Sequence, residues 1–128
     1  MKTKIKHIGL YVNDLEKGKA FYTSYFNGIS NERYENKDGF QSYFIDFGTE
    51  VTLEIMTHNN LEVREVLDRV NGFSHIAFSV GSEENVISLT NTLRADRYQV
   101  YSEPRTTGDG YFESCVADPE GNRVEITI

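Results

Sequence analysis

In the run "HIGLYV" near the start of the chain, Ile8, Leu10 and Val12 alternate with His7, Gly9 and Tyr11, which is the period of a half-buried strand. The spacing then changes to three and four. Leu15, Gly18, Phe21, Tyr22, Tyr25 and Phe26 fall along one stripe, predicting a helix opened by Asn13 or Asp14 as N-cap and stopped by Gly28. In "VTLEIM" the two-residue period returns, with Val51, Leu53 and Ile55 opposing Thr52, Glu54 and Met56. The same signals then recur. In "HIAFSV" Ile76, Phe78 and Val80 alternate with His75, Ala77 and Ser79, and Ser82 opens a second helix with Glu83 and Glu84 in its first turn. That helix should turn Val86, Leu89 and Leu93 to the sheet, and in "RVEITI" Val124, Ile126 and Ile128 oppose Arg123, Glu125 and Thr127. Turns are signalled at Lys37-Asp38-Gly39, Gly48-Thr49, Gly108-Asp109-Gly110 and Asp118-Pro119-Glu120-Gly121-Asn122.

The recurrence is a duplication. His7 and His75 stand 68 positions apart, whereas Phe40 and Tyr111, like Glu54 and Glu125, stand 71 apart, so a three-residue insertion separates two matching blocks. Each copy reads as strand, helix, then three strands, an α+β class. The expected organisation is one domain of two modules, about 1–58 and 73–128, joined by a linker. Within the linker Val63, Val66, Leu67 and Val70 hint at a short helix. A sheet with one apolar side needs a covering layer, so the apolar faces should pack on the helices, leaving the opposite faces free to curve around a cavity.

At 128 residues the chain is long enough to bury a core without disulfides or metal. A formal net charge of −7 argues against a nucleic-acid partner, since phosphate binding needs clustered Lys and Arg. The single cysteine, Cys115, has no internal partner and sits in the strand-like "FESCVAD", where a small buried apolar residue is expected. The apolar stretch from Ile8 to Val12 is too short for a signal segment or a membrane span. The expectation is a soluble cytoplasmic protein.

Four polar residues remain on the less apolar strand faces: His7 and Glu54 in the first copy, His75 and Glu125 in the second. Any one of them could be a solvated strand residue, but the same types recur at the same place in both copies. Two carboxylates about 4 Å apart at an effective dielectric near 20 repel by about 4 kcal/mol. A divalent cation removes that repulsion. Two His and two Glu suit Zn, Ni, Co, Mn or Fe, and four protein ligands on a six-coordinate ion leave two positions for water or substrate.

The opening "KHIGLYVNDLEKGKAFY", then "LEIM", "SHIAFSV" and the closing "DPEGNRVEI", resemble the vicinal oxygen chelate superfamily of glyoxalases, bleomycin-resistance proteins and dioxygenases, most closely glyoxalase I, lactoylglutathione lyase. The resemblance runs over nearly the whole chain. It implies tandem βαβββ modules whose curved sheets form a metal cup, with His7, Glu54, His75 and Glu125 as ligands of a divalent ion (Zn, Ni, Co or Mn) and Glu125 also as the base. Glu54 would hold the charge balance and could share the base role. The implied reaction, as in methylglyoxal detoxification, turns the hemithioacetal of an α-ketoaldehyde into a thioester through an enediolate. The implied partners are a small-molecule substrate and a second copy of the chain in a homodimer, with no nucleic acid and no membrane. Tyr11 stands where glyoxalase I enzymes commonly carry Arg, and His58 where they carry Asn; both positions usually hold glutathione, so the resemblance leaves the thiol open. Within the same superfamily the alternatives are a fosfomycin-modifying enzyme, an epimerase, or a metal-free drug-sequestering protein.

Overall fold

The computed structural model describes residues 1–62, 64–65, 69 and 71–128. The short helix expected from Val63, Val66, Leu67 and Val70 lies outside them. The chain divides into two units, Met1–Arg64 and Glu65–Ile128, each with one helix and one mixed sheet.

The first unit runs β1 (His7–Tyr11), α1 (Leu15–Phe26), β2 (Ile29–Ser30), β3 (Tyr34–Glu35), β4 (Gln41–Asp46) and β5 (Thr52–Thr57). Its sheet order is β1-β5-β4-β2, with β3 also on β4, and β1 is parallel to β5. Asp14 caps α1, its carboxylate accepting the Lys17 N–H at 3.0 Å; this contact is the main reason its pKa lies below the ordinary aspartate range. Leu15, Gly18, Phe21, Tyr22 and Phe26 are buried against Tyr43, Ile45, Leu53 and Ile55, while Tyr25 is half-buried. At the edge of this layer the Tyr43 hydroxyl donates to Glu16 at 2.7 Å, tying α1 to β4.

Two expectations for this unit are corrected. The helix ends on Asn27, which takes the left-handed conformation (φ 55°), and not on Gly28. Gly28 is needed for space, since a Cβ there would lie 2.4 Å from Ile45 Cγ2 and 2.9 Å from the Phe47 ring. The first of the three strands after the helix is also broken into the two-residue β2 and β3. Between them Asn31 pairs with Phe44, its N–H donating to the Phe44 carbonyl and its side-chain oxygen accepting the Phe44 N–H at 2.8 Å. A side chain replaces part of the ladder, and the strand is interrupted.

The second unit runs β6 (His75–Ser79), α2 (Glu83–Ala95), β7 (Val100–Thr106), β8 (Phe112–Ala117) and β9 (Arg123–Thr127), in the order β6-β9-β8-β7 with β6 parallel to β9. Ser82 caps α2 by accepting the Asn85 N–H. The buried face of the helix is Val86, Thr90 and Leu93, so Leu89, expected there, is half-buried and a threonine takes the core position. Thr90 can do so because its hydroxyl bonds the Val86 carbonyl at 2.6 Å and the equally buried Ser114 hydroxyl at 2.7 Å. The turn into β9 is knotted by buried Asp118, whose side chain accepts the N–H groups of Glu120 and Asn122. All four expected turns form, with Gly39, Gly48, Gly110 and Gly121 at positive φ. Among the described residues no helix is long and apolar enough to cross a membrane.

Candidate metal centre

Strand alternation puts His7 and Gly9 on one side of β1, and the parallel register sets Gly9 beside Glu54 and His7 beside Thr52. His7 and Glu54 are therefore one diagonal step apart on the same face. Their side chains meet, His7 Nε2 lying 3.5 Å from a Glu54 carboxylate oxygen, with 46% of the His side chain exposed against 16% of the Glu. Phe44, opposite Glu54 on β4, stands edge-on to the imidazole with ring centroids 5.6 Å apart. Gly9 keeps the strand beside Glu54 bare, and a Cβ there would come within 3.0 Å of Met56 Cε.

The second unit repeats the arrangement. Ala77 pairs with Glu125 and His75 with Arg123, so His75 is again one diagonal step from the glutamate. Its Nε2 is 3.1 Å from a Glu125 carboxylate oxygen, and its Nδ1 is 3.2 Å from the Ser74 hydroxyl. Burial raises the pKa of Glu125 above the usual carboxylate range, His75 pulls it down, Glu113 adds to the rise, and Arg105 and Arg123 oppose it. Cys115 lies opposite Glu125 on β8; it is buried, as expected, and burial pushes its thiol pKa up.

These separations suit metal chelation. Two donors each about 2.1 Å from one ion stand about 3.0 Å apart at an octahedral angle and about 3.4 Å apart at a tetrahedral one. The observed 3.1 and 3.5 Å match that bite. Both pairs already stand at this spacing in the structure, so as candidate ligands they would need little rearrangement. The structure thus brings the four candidate residues together two by two. Among the described residues, neither unit supplies a third His, Cys, Asp or Glu to its pair. Chain alternation had already put Arg123 on the Glu125 face, but nothing in the sequence marked Phe44 or Ser74 as neighbours of the imidazoles.

Comparison with known proteins agrees with this architecture. YqjT, an uncharacterised protein of Bacillus subtilis, is 29% identical over 94% of each chain. Two solved structures share the fold: the trypanothione-dependent glyoxalase I of Leishmania major (22% identity, TM-score 0.79, covering 98% of this chain and 86% of that one) and a glyoxylase/bleomycin resistance protein/dioxygenase domain from Frankia (16% identity, TM-score 0.83, covering 100% and 98%). The family model matching residues 4–126 spans both His–Glu pairs, and the chain belongs to the Glyoxalase/Bleomycin resistance protein/Dioxygenase superfamily.

Proposed function

We propose that the protein is a metal-dependent lyase of the glyoxalase I kind, isomerising the hemithioacetal of an α-ketoaldehyde to a thioester. The observation that carries this reading is the repetition of one His–Glu pair, at one strand register and with a chelating bite, in both units. His7, Glu54, His75 and Glu125 would hold a divalent ion such as Zn, Ni, Co or Mn, the two pairs drawn from one chain or from two copies in a homodimer. When bound, that ion supplies Lewis-acid stabilisation of the negative charge that develops on two vicinal substrate oxygens.

The chain's own groups do the rest. Glu125 takes the proton from the carbon that bears sulfur and returns it to the neighbouring carbon, while the hydroxyl proton of the first carbon passes to the former carbonyl oxygen of the second, so the hemithioacetal becomes the thioester of a 2-hydroxy acid with no atom gained or lost. Glu54, on the matching register, holds the charge balance and shares the base role. Each imidazole presents Nε2 to the site, and the Ser74 hydroxyl at Nδ1 steadies the His75 ring. Tyr11 and His58 stand at the two positions that differ from the glutathione-holding pattern, so the thiol partner is set by other contacts.

The test is to purify the protein with its metal, measure the metal content, and follow thioester formation from methylglyoxal with glutathione and with other low-mass thiols. Stoichiometric metal that is lost on His7→Ala or Glu125→Gln, together with turnover, is the expected result. Absence of turnover with every thiol at full occupancy refutes the lyase reading, and a metal-free protein that binds drugs tightly supports sequestration instead.

A further inference from the structure

The two sheets repeat one plan, so the second serves as a control for the first. On the face that carries Glu54, register sets Tyr34 on β3, Ser42 on β4, Met56 on β5 and Tyr11 on β1 in one row across the strands. That row adjoins the one holding Gly9, Glu54 and Phe44. The second sheet builds the matching row from Arg105 on β7, Glu113 on β8, Thr127 on β9 and Ser79 on β6. The correspondence holds residue by residue. Ser79 stands 68 positions after Tyr11, and Arg105, Glu113 and Thr127 stand 71 after Tyr34, Ser42 and Met56, the same two offsets that relate the histidines and the glutamates.

The chemistry of the two rows differs. Where the second unit has a cation, an anion and two hydroxyls, the first has two tyrosines, a methionine and a serine. The fold does not require the aromatic version, because the same strand order and the same His–Glu diagonal form beside the polar one. Nor do the rings belong to the core of the first unit, which lies on the other face, where Tyr43, Ile45, Leu53 and Ile55 meet α1.

Tyr11 is 52% and Tyr34 56% exposed. Between them Met56 is half-buried, its terminal methyl reaching the bare backbone of Gly9. Ser42 is buried although it lies on the face away from α1, so its neighbours in the row close over it. Phe40 extends the surface beyond Tyr34, with ring centroids 6.2 Å apart, and Phe44 joins it to the His7 imidazole. None of these side chains carries a charge. A contiguous apolar patch that starts at the candidate metal pair is the kind of surface that marks a ligand site.

We propose that the row of Tyr34, Ser42, Met56 and Tyr11 is a specificity surface that receives an uncharged aromatic ring borne by the carbonyl half of the substrate, so that the substrates are aromatic α-ketoaldehydes. This rests on the metal-centred reading above, which puts two vicinal substrate oxygens on an ion held by His7 and Glu54. Same-face neighbours along a strand are about 6.6 Å apart, which sets the row within reach of a ring joined to the chelating carbons directly or through one carbon. Tyrosine rings take such a ring edge-on or offset, and the Met56 sulfur suits its edge. The polar row of the second unit offers neither contact.

The probes are non-reactive chelators, acetohydroxamate and phenylacetohydroxamate, titrated into the Zn-loaded protein and read by amide NMR shifts. The aryl probe is expected to bind about 10-fold tighter or more through the apolar area it buries, with added shifts at Tyr11, Ser42 and Met56. Tyr11→Ser installs the residue that the second unit carries at this place, so the strand should form as it does there, and the two affinities should come within about threefold once the ring contact is lost. A third probe, 4-phenylbutanohydroxamate, locates the ring. Its longer link carries the ring past the row and should lower the preference; tighter binding of this probe overturns the assignment to the carbonyl half. With chelator in place of Zn, benzyl alcohol at millimolar concentration should still shift the same amides in the wild type and not in Tyr11→Ser, because strand register and not the ion builds the row. Equal affinity for the first two probes, a preference that survives in Tyr11→Ser, or benzyl alcohol shifts outside the first sheet each overturn the surface. An aryl preference lost in Tyr11→Ser, in a protein that makes no thioester from any thiol, leaves the surface standing and removes the lyase reading.

Discussion

Replacing Glu125 by Gln tests the metal centre and its electrostatics together, because it keeps the shape of the side chain and removes its charge. His75 Nε2 and the Glu125 oxygen are 3.1 Å apart, already at chelating distance, so binding should need little reorganisation and show directly as stability. At a free metal concentration 100-fold above Kd, binding stabilises the folded chain by about 2.7 kcal/mol. For a chain of this length that raises Tm by about 10 °C, taking about 3–5 °C per kcal/mol. Loss of an ionised ligand weakens binding by at least about 100-fold, the upper end for loss of a supporting partner. The same metal concentration then stabilises Glu125→Gln by only about 0.4 kcal/mol, or about 1–2 °C. Without metal the sign reverses. The folded-state pKa of Glu125 is raised by burial, so its contribution is full below the carboxylate range and is lost as pH rises through that pKa. In chelator, Glu125→Gln should match the wild type at low pH and exceed it at neutral pH. The assay is thermal unfolding with and without Zn, Ni, Co or Mn and with chelator, across pH. An equal metal shift in both proteins, or no wild-type shift with any of these ions, refutes the reasoning.

Three further outcomes test the fold that holds the site. Thr90→Val should cost about 1–3 kcal/mol in urea unfolding, because it strands the buried Ser114 hydroxyl, and adding Ser114→Ala should recover most of the loss. Gly28→Ala should cost about 1–3 kcal/mol through the clash with Ile45 and Phe47, whereas Asn27→Gly should be tolerated because the left-handed residue is Asn27; equal effects would contradict that assignment. Asp14→Ala should lower Tm at neutral pH. Because the folded pKa of Asp14 is lowered, its contribution is present above the ordinary aspartate range and lost as pH falls through the folded value, so the gap in Tm should narrow in acid.

What the sequence disclosed, and what it hid, follow from the range of the interactions involved. Helix starts were legible because a cap acts over three residues, from Asp14 to Lys17 and from Ser82 to Asn85. The end of α1 is ambiguous in the sequence because Asn and Gly both accept positive φ, and only the packing of Ile45 and Phe47 on Gly28 shows which residue needs which property. Thr90 carries no such signal, because its place in the core depends on Ser114, 24 residues away. The break between β2 and β3 depends in the same way on Asn31 bonding to Phe44 across the sheet.

The site divides along the same line. Alternation alone placed each candidate histidine and glutamate on the less apolar side of its strand, and duplication singled them out from other polar strand residues. Neither could show that the first strand of each unit lies parallel to its last, the step that brings together residues 47 and 50 positions apart in the chain. Once that pairing is given, the diagonal contact follows from the register, and it follows twice, since Gly9 pairs with Glu54 as Ala77 pairs with Glu125. Small residues at these two positions fit the arrangement, because a large side chain there would stand beside the carboxylate and crowd the imidazole two residues before it. Gly9→Phe, which should fill that space, is therefore expected to abolish metal-induced stabilisation while leaving the opposite face, half-buried Ile8 and Leu10 of β1 with buried Val12 just beyond it, unaltered. Retention of the full metal shift in this variant would mean that the ion does not sit over the β1–β5 face.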